Sequence, residues 1–120
     1  MAPLPRLADY SAALVLTLLI EVPLYAALLR TFAGVRWRHG ARLGAAANFV
    51  SHPLVFLVVA PLLAPHLGPT GALACAEVVA VLVEMLVVRV LRRQDLTTAA
   101  GTAYVANAVS FCTGVLVLTR

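Results

Sequence analysis

The chain is 120 residues long, 62% hydrophobic and only 12% charged, with nine basic residues against five acidic ones for a formal charge of +4. Water-soluble domains are nearer 45–50% apolar and about 25% charged. This balance excludes an ordinary soluble enzyme, a disordered tail and a collagen-like fibre. It leaves too little wetted surface for the basic excess to read as a nucleic-acid face.

All nine basic residues are arginine and none is lysine. With the abundance of Ala, Leu and Val, this composition hints at a bacterial source. Cys75 and Cys112 form no CxxC or zinc-type pattern and are far too few for a disulfide scaffold, so each is expected to fill an apolar gap. The first apolar run is span-length and is followed directly by Arg30, so it reads as a retained helix and not as a cleaved leader.

Crossing the ~30 Å hydrocarbon core takes ~20 helical residues. Four stretches qualify, at about 9–30, 42–63, 70–91 and 96–118. The connections between them are short: 31–41 holds Arg36, Trp37, Arg38 and His39, 64–69 is uncharged and rich in proline, and 92–95 is a tight charged turn. Short links make neighbours antiparallel. The expected architecture is therefore all-α, a single integral membrane domain over 1–120 built as a four-transmembrane-helix antiparallel bundle. Seven of the nine arginines flank or occupy the first and third connections. The arginine bias of loops sets orientation, which puts both of those connections in the cytoplasm and both termini outside the cell membrane. Trp37 between two arginines suits an interfacial anchor, and an attraction to anionic lipid is a secondary expectation.

The second and fourth spans share a string: Ala47-Asn48-Phe49-Val50-Ser51 against Ala106-Asn107-Ala108-Val109-Ser110. In the preceding spans Glu21 stands nine residues before Arg30, and Glu84 nine before Arg93. The spacing suggests two duplicated helical hairpins related by an axis along the membrane normal.

The informative residues are polar ones that do not belong in lipid. Glu21, Asn48, Ser51, His52, Glu77, Glu84, Asn107 and Ser110 all fall inside the spans. An acid at mid-bilayer costs roughly 2.5–3.5 kcal/mol on insertion scales. Such groups are expected to face one another or water. Helical spacing puts them in stripes: Thr17, Glu21 and Tyr25 step by four, Asn48 and His52 are i, i+4, Glu77 and Glu84 are i, i+7, and Asn107, Ser110 and Gly114 are i, i+3, i+7. Counting rise along each span places Glu21, His52 and Asn107 at the midplane, Asn48 and Glu84 toward the cytoplasm and Glu77 outward. Pro23 and Pro53, near mid-span, are expected to bend their helices.

Carboxyls gathered in this way can bind a cation, pass a proton or do acid–base work. The leading expectation is a small polytopic protein that handles a proton or small cation, with Glu21 and Glu84 as paired carboxylates, His52 as a switchable partner, and Asn48 and Asn107 as orienting donors. It would work as a transporter-like unit or as a subunit of a membrane complex, either as a homo-oligomer or with a partner membrane protein. Small-residue faces at 44–47 and 99–103 are the expected contacts. No cofactor is indicated, and one membrane histidine is too small a ligand set to predict a metal. Two other classes fit the same residues. One is an intramembrane hydrolase in which Glu21 or Glu84 activates water while His52 and an asparagine stabilise an oxyanion, and the other is a non-catalytic assembly subunit. In residue types alone the cluster resembles the glutamic intramembrane proteases of the CAAX-processing class, but the EExxxR pattern and the second histidine motif of that class are missing here.

Overall fold

The computed structural model describes residues 7–118, and every one of these is helical except 34–36, 93–95 and the single residue Gly68. Helix α1 runs Leu7–Ala33, α2 Trp37–Leu54, α3 Ala60–Arg92 and α4 Leu96–Leu118, and a π-helical turn at Val55–Val59 joins α2 to α3. Arg6 and Arg120 lie outside the described residues.

The count of four separate helices is not matched. The structure has three continuous helical stretches long and apolar enough to cross a membrane, Tyr10–Ala33, Trp37–Arg92 and Leu96–Val117. The loop expected at 64–69 does not form. That segment stays within α3, whose single non-helical residue is Gly68, at φ 73 and ψ 172. The local sequence explains this. Glycine takes a positive φ without a steric penalty, and Pro69 behind it suits the first turn of a restarting helix, where its missing N–H costs nothing. One residue therefore redirects the chain and no loop is needed. A straight helix of 56 residues would be ~84 Å long, yet the longest dimension of the molecule is 47 Å. The middle stretch therefore folds back, and α2 packs against α3.

The two prolines expected to bend their helices behave differently. α1 continues through Pro23. Pro53 removes the N–H that would reach the Phe49 carbonyl, and two residues later the ladder slips into its π-helical turn.

α1 packs on α2 and α4, and α3 packs on α2 and α4. The first connection turns at Gly34, φ 66, and Val35 N–H closes the end of α1 on the Leu29 carbonyl at 3.1 Å. The second turns at Arg93, which takes the left-handed conformation at φ 49. Asp95 then caps α4 by accepting the Thr98 N–H at 3.2 Å. Arg92 and His39 meet at 3.5 Å, so the two arginine-bearing connections lie at the same end of the molecule.

The packing inverts that of a soluble domain. Leu19, Leu57, Val78, Leu82, Leu86, Val90 and Val105 face outward. The interior is built from small and polar side chains, including Ala47, Ala76, Ala103, Ala106, Glu21, Asn48, Ser51, Glu84, Thr102 and Asn107. An apolar exterior around a polar interior is the arrangement expected in lipid, where apolar surface has no reason to hide. Small residues let the backbones approach. A Cβ on Gly40 would stand 2.9 Å from the Ala26 Cα, and one on Gly44 would stand 2.7 Å from the Tyr25 Cβ. Gly40 and Gly44 thus form a GxxxG seam between α2 and α1. Within the small-residue faces at 44–47 and 99–103, Gly44, Ala47, Ala99 and Ala103 are buried within this chain, Ala45, Ala46 and Ala100 are half-buried and Gly101 is exposed.

Candidate functional site

α3 buries one stripe with strict four-residue steps, Ala72, Ala76, Ala80, Glu84 and Val88. Each step of four overshoots one turn by about 40°, so over this length the buried stripe winds part of the way round α3, which packs on both α2 and α4. The alanines bring neighbouring backbones close and leave Glu84 as the one polar projection. On α1 the same step buries Glu21, Tyr25 and Leu29, and on α2 Gly44, Ala47, Asn48 and Ser51 share the inner face. α4 contributes Thr102, Ala103, Ala106 and Asn107.

These faces converge on two carboxyls. Glu21 is 2% exposed and Glu84 is wholly buried. The Glu21 carboxyl has Asn48, Glu84 and Ser110 as its polar side-chain neighbours. The Glu84 carboxyl accepts a hydrogen bond from the Asn107 side-chain amide. Each glutamate therefore meets the asparagine of the helix that follows it, and the two glutamates meet each other.

The two asparagines are held alike. Asn48 Nδ2 donates to the Gly44 carbonyl at 2.9 Å and Asn107 Nδ2 to the Ala103 carbonyl at 2.8 Å, in each case four residues back. Such a bond to the helix's own backbone fixes the side-chain rotamer and so the position of the amide. The left-handed turn residues Gly34 and Arg93 are 59 positions apart, the same offset as Asn48 and Asn107. Glu21 and Glu84 are 63 apart. Relative to its turn, Glu21 is thus about one helical turn deeper.

Three buried polar atoms here have no hydrogen-bond partner: Glu21 Oε2, Glu84 Oε1 and the Tyr25 hydroxyl. Tyr25 is close enough to both carboxyls to feel their charge. The charged and hydrogen-bonding neighbours of the pair are Asn48, Ser110, Asn107, Tyr25 and Glu77, none of them basic. Buried polar groups are normally paired, so three orphaned oxygens in one place single this position out. Tyr25 could be found from the sequence as the third member of the Thr17–Glu21–Tyr25 stripe. Thr102 carried no such signal, being one more threonine in an apolar helix.

His52 does not join the pair. Its ring stacks on Phe56 at 5.7 Å, interplanar angle 15°, and tilts against Tyr10 at 5.4 Å. It sits one turn beyond Asn48 on α2, beside the first turns of α1, and is not among the neighbours of either carboxyl. The expected pairing of His52 with the two glutamates is corrected accordingly: Asn48 neighbours Glu21, and Asn107 neighbours Glu84. The reason is register. Gly44 docking on Tyr25 fixes the α1–α2 alignment and puts Asn48, not His52, opposite Glu21. The hydrolase arrangement thereby loses its imidazole. Among the described residues no three His, Cys, Asp or Glu side chains gather in a way that could hold a metal ion.

Ser51 is buried on the inner face of α2. Glu77 is half-buried and near enough to both carboxyls to feel their charge, in the wall of a groove of about 380 Å³ between α3 and α4 that Asn107 also lines. Comparison with family models, with curated proteins and with solved structures finds no match for the chain.

Proposed function

We propose that this is a multi-pass membrane protein that holds and exchanges a proton or small cation at the Glu21–Glu84 pair, as a transporter-like unit or a subunit of a membrane complex. The observation that carries the reading is the meeting of two buried carboxyls with three unpartnered oxygens and no basic neighbour. Two bare carboxylates this close in a low-dielectric interior repel, and one proton or one monovalent cation between them removes the repulsion. Carboxyl, phenol, amide and hydroxyl oxygens form a donor set for a hard ion and not for a soft metal. Asn48 and Asn107, locked by their backbone bonds, hold the two carboxyls in place as the proton or ion comes and goes.

In this reading the 56-residue middle stretch makes two crossings folded at Gly68, giving four crossings in all, with the arginine-rich end in the cytoplasm and both termini outside. The matched asparagine geometry in α2 and α4 favours two duplicated hairpins. A four-helix unit leaves little room for an alternating pathway, so a second copy or a partner protein completes it.

The test is ion flux in proteoliposomes under an imposed pH gradient. The native protein is expected to dissipate the gradient, and Glu21→Gln and Glu84→Gln, each still folded, are expected to lose at least nine-tenths of that activity. Flux retained in either folded variant would overturn the proposal.

A further inference from the structure

On α2 the seam glycines Gly40 and Gly44 face α1. Arg42 and Ala46 each stand two residues further on, about 200° round the helix, and so look away from that seam. α3 brings its last turn alongside this other face, and between the two helices lies an open groove of about 260 Å³ lined by His39, Arg42, Leu43, Ala46, Leu91 and Arg92. Arg92 donates to the His39 Nδ1 at 3.5 Å, which joins lining side chains of both helices. The groove therefore begins among polar groups at the arginine-bearing end and continues over apolar ones.

No acid lines the groove, and both of its arginines are exposed. Asp95, the acid of that end, gives its carboxylate to Thr98, and among the described residues no carboxylate pairs with Arg42 or Arg92. A guanidinium presents five N–H donors in a fork that matches phosphate oxygens. The apolar part has a direction. Val50 and Leu54 follow Ala46 on α2 in steps of four, and both are exposed. They extend the apolar track ~12 Å from Ala46, away from the arginines. A soluble anion would engage the guanidiniums and leave this track bare. A phospholipid engages both, and basic pockets between membrane helices at the headgroup level are where anionic lipids bind.

We infer that this groove is a site for one anionic phospholipid, its phosphate held by Arg42 of α2 and Arg92 of α3 and an acyl chain laid over Leu43, Ala46, Val50 and Leu54. The inference rests on the membrane reading above and is independent of the exchange proposed at the carboxyl pair. Charge-assisted hydrogen bonds from two helices to one phosphate would tie α2 to α3 at the end where no side chain of the opposite sign does so. A zwitterionic headgroup would bring its ammonium against two guanidiniums, so the site selects for net negative charge.

The test reconstitutes the protein in nanodiscs of equal parts phosphatidylcholine and phosphatidylglycerol, releases it into mild detergent and counts the lipids it retains by native mass spectrometry. The native chain is expected to keep one phosphatidylglycerol, at least tenfold in preference to phosphatidylcholine. Arg42→Gln with Arg92→Gln should abolish the preference. Arg36→Gln with Arg38→Gln removes the same charge from the same end outside the groove and should leave the preference within twofold. Ala46→Phe fills the groove, keeps every arginine and should lose the lipid. Equal retention of the two lipids by the native chain, equal loss from the two arginine pairs, or release of the lipid by millimolar inorganic phosphate would overturn the inference. A chain that does not enter the discs overturns the membrane reading and the groove with it, whereas one that enters them without a preference overturns the groove alone.

Discussion

The Asn107 side-chain amide donates to the Glu84 carboxyl across the α3–α4 seam while it also holds the Ala103 carbonyl one turn back on its own helix. One amide nitrogen thus ties a buried acid of α3 to the backbone of α4. Replacing it orphans the acid. Asn107→Ala is predicted to destabilise the fold by about 1–3 kcal/mol, the cost of an unpaired buried acceptor. Unfolding in mixed micelles by denaturing detergent should show it. In the Glu84→Ala background the same change should cost far less, because the acceptor is already gone.

The α1–α2 seam makes a steric prediction. Gly40 faces backbone, the Ala26 Cα, and Gly44 faces the root of the Tyr25 side chain, so neither neighbour can swing away. Gly40→Ala and Gly44→Ala are each predicted to destabilise by about 1–3 kcal/mol through forced separation of the helices. Gly101 has open space where its Cβ would go. Gly101→Ala should be neutral or stabilise by up to about 1 kcal/mol through helix propensity. Thermal denaturation of the three variants side by side gives the comparison.

His52 provides a discriminating substitution. Its ring lies between Tyr10 and Phe56, away from the carboxyls. Phenylalanine preserves that stack. His52→Phe is predicted to leave flux within threefold of native and to leave its pH profile unchanged. A lost or shifted profile would return the imidazole to the mechanism.

The helical class, the outward apolar faces and the inward Glu21, Asn48, Glu84 and Asn107 were legible in the sequence because each depends on a local rule. Hydropathy over ~20 residues marks a span, and a step of four marks one face. His52 was misplaced because i, i+4 spacing with Asn48 gives a stripe but not the partner helix that the stripe meets. That depends on the register set by Gly40 and Gly44 against α1. The 64–69 segment was misread for a different reason. Proline and glycine density argues for a loop, but Gly68 alone makes the turn and Pro69 restarts the helix, so no residue is spent on coil. The slip at Val55–Val59 follows from Pro53, yet whether a missing bond gives a kink or a π-helical turn is decided by packing around it.

Asp95, outside the spans, carries a pH prediction. Its carboxylate is held below the usual carboxylate range first by the Thr98 hydroxyl and then by the Thr98 N–H that it accepts. A group whose folded value is depressed stabilises above its unfolded value and loses that contribution as pH falls through the folded one. Relative to Asp95→Ala, the native protein should therefore be more stable near neutrality, with the advantage shrinking as the solution is taken below the ordinary aspartate range. Melting temperature against pH for both proteins checks the sign.

The central claim, that Glu21 and Glu84 act as one unit, is tested most directly by a double-mutant cycle on proton flux. Native protein, Glu21→Gln, Glu84→Gln and the double variant are reconstituted at equal density and assayed under the same gradient. Residues acting as a unit are non-additive, so each single change should lose as much flux as the two together. Losses that multiply independently, or a single variant that keeps its flux, would contradict the account.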